Sequence, residues 1–328
     1  MVASKRHDVG WGRPIVWYPS RDWNERHQRM RRLSIGVTGA GRVGSVLANK
    51  FRAAGHPVVG VSGRSPASLL RIQTLLPDVD VLRPAEVAAR SDVLVLAVPD
   101  DELIRVAEEL ATIVRPGQFV LHTSGRHGTD ALAALARAGA RTIAFHPAMT
   151  FTGTEVDLGR TCVFGLTAAP AERELAEELV ADLGGTPMWI DEADRTLYHS
   201  ALAHGANHLV TIVAQSMDLL RQAGATDPAA VLRPLLGAAL ANALDFGDAA
   251  LTGPVVRGDV TTIRAHVDAF AVADTPAATR DAYTSLARAT AARAEADGRL
   301  ASAAASGIRQ ALTEAEWDAM AEMAAGVS

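Results

Sequence analysis

Residues 33–55, LSIGVTGAGRVGSVLANKFRAAG, constrain the fold more than any other stretch of the chain. An apolar run reads as a strand, a glycine-rich turn follows, and the remainder has the spacing of an amphipathic helix. The glycines Gly39, Gly41 and Gly44 each have a separate steric purpose. The first permits a tight turn, the second lets a pyrophosphate approach the backbone, and the third lets the helix pack close on the strand. Gly39, Ala40, Gly41, Arg42, Val43 and Gly44 are therefore the expected phosphate cradle, with the helix amino terminus facing the anion.

The end of the next strand, PVVGVSGRS at 57–65, bears on which dinucleotide fits. A cradle for the unphosphorylated form usually places an acid there, to bond the ribose 2′-hydroxyl. Here the strand ends in Ser62, Gly63, Arg64 and Ser65, with no carboxylate. Hydroxyls beside a guanidinium suit a 2′-phosphate, so Ser62, Arg64 and Ser65 predict NADP(H). Alternation then continues. DVLVLAVPD (92–100) ends in Val98, Pro99 and Asp100 and precedes a helix over 100–114. QFVLHTSG (118–125), RTIAFHPAMTF (141–151), TCVFGLT (161–167) and TPMWID (186–191) are further strands, with helices after 128 and over 171–183. Strands alternating with helices predict an α/β fold with a doubly wound parallel sheet. Ligands of such sheets lie beyond the strands' carboxyl ends, here at Pro99, at 122–125 and at His146-Pro147.

From 192 onward strand signals cease, and alanine-rich helices are expected over 192–222, 227–247, 259–273, 276–296 and 311–324. Segment 197–220, LYHSALAHGANHLVTIVAQSMDLL, is apolar around most of its circumference and reads as buried. Ser200, His204, Asn207, Thr211, Gln215 and Asp218 follow steps of three and four, a stripe expected to face a wet cleft, a ligand or a second subunit, unless it is simply the solvent side. His204 and His208 have helical spacing for a metal pair, but no third ligand converges and no metal site is expected. LTGPVVRGD, at 251–259, fixes Arg257 between Gly253-Pro254 and Gly258. The arginine is either a substrate clamp or a partner of Asp259 at the next helix start.

The chain has 328 residues, a net charge of −5 and one cysteine, Cys162, so no internal disulfide or four-cysteine metal site forms. Residues 1–32 carry a net +5 and three of the five tryptophans, leaving −10 on the rest, which argues against nucleic acid as a partner. That segment lacks periodicity and reads as a disordered basic extension rather than a secretory signal. No uninterrupted apolar run of about 18 residues occurs, so no membrane span is expected, and the reading is cytoplasmic. Lysine occurs only at Lys5 and Lys50. The expected domains are 1–32, 33–191 and 192–328.

The glycine fingerprint followed by LAVPDD, HTSG, FHPAM, YHSALAHGANHLV and LTGPVVRGD resembles a family of bacterial Rossmann-like NADP oxidoreductases. Their helical carboxyl-terminal domain, of unknown function, is similar in shape to that of 6-phosphogluconate dehydrogenase. The resemblance covers about 33–300 and leaves out 1–32. Its relatives include β-hydroxyacid dehydrogenases and pyrroline-5-carboxylate reductases, and some members resemble an alternative ketopantoate reductase of pantothenate biosynthesis. The resemblance implies NADP(H), a small-molecule substrate, a homodimer, and a substrate-acid site at Ser124. In β-hydroxyacid dehydrogenases a catalytic lysine precedes an asparagine by about one turn; counting back from Asn207 gives Ala203. With no lysine, histidine is the expected proton donor: His204 beside Asn207 first, His146 second, with His199 also open. Arg257 then competes for the substrate carboxylate. Reduction of an imine, or cofactor binding without turnover as a sensor, are the other readings.

Overall fold

The computed structural model describes residues 32–325, with side chains to residue 313. All but the last residue of the basic segment 1–32 lies outside the described residues. The chain divides into two compact units between Leu202 and Ala203. That is later than the boundary the sequence suggests at 191, because the helix after 191 is anchored to the sheet by a buried arginine.

The first unit runs β1 (Ile35–Thr38), α1 (Arg42–Ala53), β2 (Val58–Ser62), α2 (Pro66–Leu75), α3 (Pro84–Arg90), β3 (Val93–Leu96), α4 (Leu103–Leu110), β4 (Phe119–His122), α5 (Ala133–Arg137), β5 (Arg141–Pro147), β6 (Val163–Ala168), α6 (Arg173–Asp182), β7 (Thr186–Trp189) and α7 (Arg195–Leu202). The strands form one sheet in the order β2-β1-β3-β4-β5-β6-β7. Every residue of β1 and β3 is buried, as expected of strands covered on both faces. Ile35, Val37, Val93, Val95, Leu121, Ile143 and Phe145 turn to one face, where α1, α2 and α6 pack. Leu94, Leu96 and Val120 turn to the other, beneath α3, α4 and α5. Two-residue alternation along strands thus feeds two separate cores.

The sheet departs from the parallel expectation at one place. β1 to β5 are parallel, but β6 runs antiparallel to β5. A parallel return needs a crossover, usually a helix. Between β5 and β6 there is only a loop with a 3-10 turn at Glu155–Asp157. The loop folds on the buried Asp157, whose Oδ2 accepts from the amides of Thr152 and Gly153, both at 2.8 Å. Helices α2 and α3, for which the sequence reading had no expectation, each begin with proline in the first turn, at Pro66 and Pro84.

The second unit opens with a π-helical turn, Ala203–Asn207, and continues through α8 (His208–Gln222), α9 (Pro228–Phe246), α10 (Val260–Val272), α11 (Ala277–Ala296) and α12 (Ser302–Ala325). The last helix starts nine residues before the expected 311. Its core joins Val255, Ile263, Ala287, Ala291, Ala294, Leu300 and Ile308, from α10 to α12 and the loop before them. The expected burial of the long polar-striped helix is not met within the chain: α8 has no buried residue. On α9, Leu235 is 62% exposed, Leu244 79% and Phe246 64%. Periodicity tells which face is apolar, not what covers it. By length and composition, Pro228–Ala250 would suffice to cross a membrane, at a mean hydropathy of 1.3. Arg233 and Pro234 interrupt that stretch.

Candidate functional site

The glycine turn sits at the switch point of the sheet, where β2 lies on one side of β1 and β3 on the other. Gly39 has a φ of +98°, and a Cβ there would stand 2.5 Å from the carbonyl oxygen of Ala97. At Gly44 a Cβ would come within 2.2 Å of the Gly39 carbonyl oxygen. Around Gly41, by contrast, nothing lies within 4 Å, so that side of the backbone is open. Gly41 is the N-cap of α1 and supplies no side-chain cap, which leaves first-turn amides for an anion. Ala40 is buried, Val43 is half-buried, and Arg42 is exposed beside the turn. Val98, Pro99 and Asp100 form the rim after β3, with Pro99 exposed and its neighbours half-buried. This cradle fits a dinucleotide pyrophosphate.

The residues expected at the 2′-phosphate do not behave alike. The Ser62 hydroxyl accepts from the Gly39 amide at 3.2 Å and is buried. The Ser65 hydroxyl caps α2, accepting from the Ser68 amide at 3.1 Å. Both serines hold backbone in place. Arg64 is exposed and forms no ion pair among the described residues.

A polar cluster occupies the carboxyl ends of β4 and β5, under α7. The Ser124 amide donates to Nδ1 of His122 at 3.2 Å, so the His122 proton resides on Nε2, which donates to the Gly128 carbonyl at 2.9 Å. The Ser124 hydroxyl accepts from the His127 amide at 3.3 Å. The structure thus gives Ser124 a turn-holding task, with its O–H still free to donate. Arg195, 1% exposed, donates to the carbonyls of Ser124 at 2.7 Å and Gly165 at 3.0 Å. Its Nε has no partner among the described residues, and no carboxylate pairs with it. Nδ1 of His146 lies 2.8 Å from the hydroxyl of Tyr198. The His199 ring is 6.2 Å from that of His146, centre to centre. Gly125 lets the turn after β4 touch both rings, since a Cβ there would meet His199 at 2.6 Å and Nε2 of His146 at 3.0 Å. Gly165, opposite His146 in the β5–β6 register, does the same for Tyr198, whose hydroxyl would be 2.6 Å from a Cβ.

Burial, and then the Arg195 charge, lower the His146 pKa to about 4. Burial also lowers that of His122 to about 3. Both rings are therefore neutral near pH 7. Burial pushes the Tyr198 hydroxyl up, against the pull of Arg195, so it keeps its proton.

Of the sequence candidates, Ser124 and His146 meet here and His199 joins them. Arg195 and Tyr198 were missed. Their spacing with His199, i, i+3 and i+4 on one helix face, is the signal that would have found them. His204, Asn207 and Arg257 belong to the second unit. His204 and His208 are exposed, with Nδ1 atoms 3.1 Å apart. The π-helical turn at 203–207 widens the helix there and breaks the steady 3.6-residue step on which the polar stripe was drawn. Arg257 is exposed in a loop set by Gly253 (φ +95°) and Gly258 (φ +70°). Asp259 caps α10, accepting from the amide of Thr262 at 3.0 Å and its hydroxyl at 2.7 Å. Arg257 forms no ion pair within 4.0 Å among the described residues, so the loop presents an unpaired guanidinium.

Fold and cradle together define the class: a Rossmann-like α/β domain followed by an all-helical one. More particularly, residues 20–147 match the Rossmann-like domain, and residues 162–290 match the domain of unknown function DUF2520. The first match begins inside the basic segment that the sequence reading set apart. No curated protein sequence matches the chain. Among solved structures, the chain is similar to a candidate NADP oxidoreductase from Bacteroides fragilis, with 22% identity and a TM-score of 0.68 over 79% of this chain and 98% of that one. A reductive aminase from Aspergillus terreus, in complex with NADPH and ethyl-5-oxohexanoate, gives 19% identity and 0.61 over 85% and 99%. A pyrroline-5-carboxylate reductase from Coxiella burnetii gives 20% and 0.51 over 87% and 98%. At these identities the likeness is one of fold.

Proposed function

We propose that this chain is an NADP(H)-dependent oxidoreductase that reduces a small oxo acid, with ketopantoate among the candidates. The observation that supports it most is the juxtaposition, at the carboxyl ends of one sheet, of a glycine cradle and a neutral His146–Tyr198 pair. When bound, the nicotinamide supplies a hydride to an electrophilic carbon. The backbone of Gly39 to Gly44 binds the pyrophosphate, and Arg64 faces the 2′-phosphate. Tyr198 holds the proton for the substrate oxygen on its hydroxyl. With the His146 proton on Nδ1, that N–H donates to the tyrosine oxygen and frees the phenolic hydrogen to move to substrate. As His146 takes a proton from water at Nε2, its Nδ1 proton passes in the same step to the Tyr198 oxygen, so the ring carries no charge. Arg195 stabilises negative charge that develops on the phenolic oxygen and keeps His146 uncharged. No lysine is needed: Lys50, the only one among the described residues, donates to the Arg160 carbonyl. The proton source thereby moves from His204 to Tyr198 and His146. The Ser124 hydroxyl, whose O–H is free to donate, is assigned to the substrate carboxylate. Arg257, His204 and Asn207, which belong to the second unit, are proposed as substrate residues on the sequence alone.

Imine reduction is a second reading, favoured by the similarity to structures of a reductive aminase and a pyrroline-5-carboxylate reductase. The same hydroxyl would then serve an amine nitrogen. The exposed apolar side chains of α9 support a homodimer as the working form. Oxidation of NADPH with a panel of oxo acids and cyclic imines tests the proposal, and separates both readings from a cofactor-binding sensor.

A further inference from the structure

Gly153, in the loop between β5 and β6, has a φ of +77°. A Cβ on it would stand 2.7 Å from Nε of Arg71 and 3.0 Å from Cα of Arg42. The loop therefore meets the Arg71 side chain and the first residue of α1 at a single point, and only a glycine fits there. Nη1 of Arg71 donates to the Ala67 carbonyl at 3.2 Å, so the guanidinium lies back along α2 toward its first turn. Arg64 is three residues before Ala67, at the end of β2. Arg42 and Arg71 thus meet at Gly153 beside the glycine cradle, and Arg64 lies on the short segment between β2 and α2.

Among the described residues, Arg42, Arg64 and Arg71 form no ion pair within 4.0 Å. Asp157, the buried acid of the same loop, is turned inward onto the amides of Thr152 and Gly153 and pairs with Arg160. Of the nearby hydroxyls, Ser65 accepts from the Ser68 amide and donates to the Ser68 hydroxyl, whereas Ser62 accepts from the Gly39 amide and keeps its O–H to donate. Like charges gathered without a counter-ion repel, and a dianionic phosphate relieves that repulsion with hydrogen bonds to the guanidinium groups.

We propose that Arg71, positioned by Gly153 against Arg42, completes with Arg64 a clamp for the 2′-phosphate of NADP(H), and that position 71 sets selectivity for the phosphorylated cofactor. The proposal rests on the NADP(H) reading above. It assigns to Gly153 a positioning role: the glycine touches no cofactor but fixes where the Arg71 side chain lies.

Isothermal titration of the full chain with 2′,5′-ADP and with 5′-AMP tests this without turnover, because the two probes differ only in the 2′-phosphate. The wild type binds 2′,5′-ADP at least tenfold more tightly. Arg71→Gln lowers 2′,5′-ADP affinity at least fivefold and leaves 5′-AMP within twofold, which also reports that the fold is intact. Gly153→Ala removes no charge, yet produces the same selective loss by displacing the side chain. Full retention of 2′,5′-ADP affinity in Arg71→Gln overturns the clamp while the NADP(H) reading stands. Wild-type affinity in Gly153→Ala overturns the positioning role. A wild type that does not prefer 2′,5′-ADP overturns the clamp and the cofactor reading together.

Discussion

The hydroxyl of Tyr198, on the helix that closes the first unit, lies 2.8 Å from Nδ1 of His146, on the fifth strand. The pair is held from below by Arg195, whose Cζ is 5.6 Å from the tyrosine ring centre. Removing the hydroxyl leaves the ring and its packing in place. Tyr198→Phe is therefore expected to lower kcat by about 100-fold or more, the usual worth of a positioned proton donor, with NADPH affinity unchanged. Steady-state kinetics of the variant against wild type reads this. Turnover within twofold of wild type would remove Tyr198 from the chemistry.

Acid stability should report the buried rings. His122 and His146 have folded pKa values of about 3 and about 4, below the ordinary value of 6.5. The unfolded chain binds more protons in that window, so stability is complete above about pH 6.5 and falls as the pH drops toward 4. Each ring contributes a slope of up to ~1.4 kcal/mol per pH unit there. In urea unfolding at several pH values, His146→Asn should show a shallower slope than wild type. An unchanged slope would mean that the ring is not held neutral.

The exposed leucines of α9 should be covered in the working protein. Leu244 is 79% exposed within the chain, so Leu244→Glu costs the single chain little. At a subunit interface it buries an unpaired charge. Light scattering at micromolar concentration is expected to give two chains for wild type and one for the variant. A wild-type monomer contradicts the homodimer.

Hydrogen bonds from Thr262, and then the Arg257 charge, hold the Asp259 carboxyl below the usual range, with no Arg257 ion pair within 4.0 Å among the described residues. Because Asp259 is engaged by Thr262, Arg257→Ala should leave the melting temperature unchanged. If the guanidinium holds a substrate carboxylate equally in ground and transition states, KM rises at least about tenfold and kcat holds. His204→Ala should lower kcat less than Tyr198→Phe does. The reverse order would return proton donation to His204.

The glycine fingerprint, all seven strands and the place of His146 near a strand's carboxyl end are legible in the sequence because their signals are local: backbone space at Gly39 and Gly44, and apolar runs ending at polar residues. The direction of β6 is not, since it depends on how the loop returns around Asp157. The Ser65 hydroxyl caps a helix, and the Ser62 hydroxyl accepts from the Gly39 amide with its O–H left to donate. Residue type alone does not reveal a partner. Arg195 sits in a polar run, ADRTLYH, and only the sheet beneath it makes it a buried cation. The unburied α8 shows the same limit from the other side, because its apolar face is visible in the sequence and whatever covers it is not.

Turnover of NADP(H) by the chain is read by following nicotinamide absorbance while wild-type protein is offered oxo acids, ketopantoate included, and cyclic imines. NADPH oxidation is expected with at least one of them, and use of NADH at least about tenfold poorer, a difference of ~1.4 kcal/mol. Tight NADPH binding with no oxidation across the panel, or equal use of NADH, would contradict it.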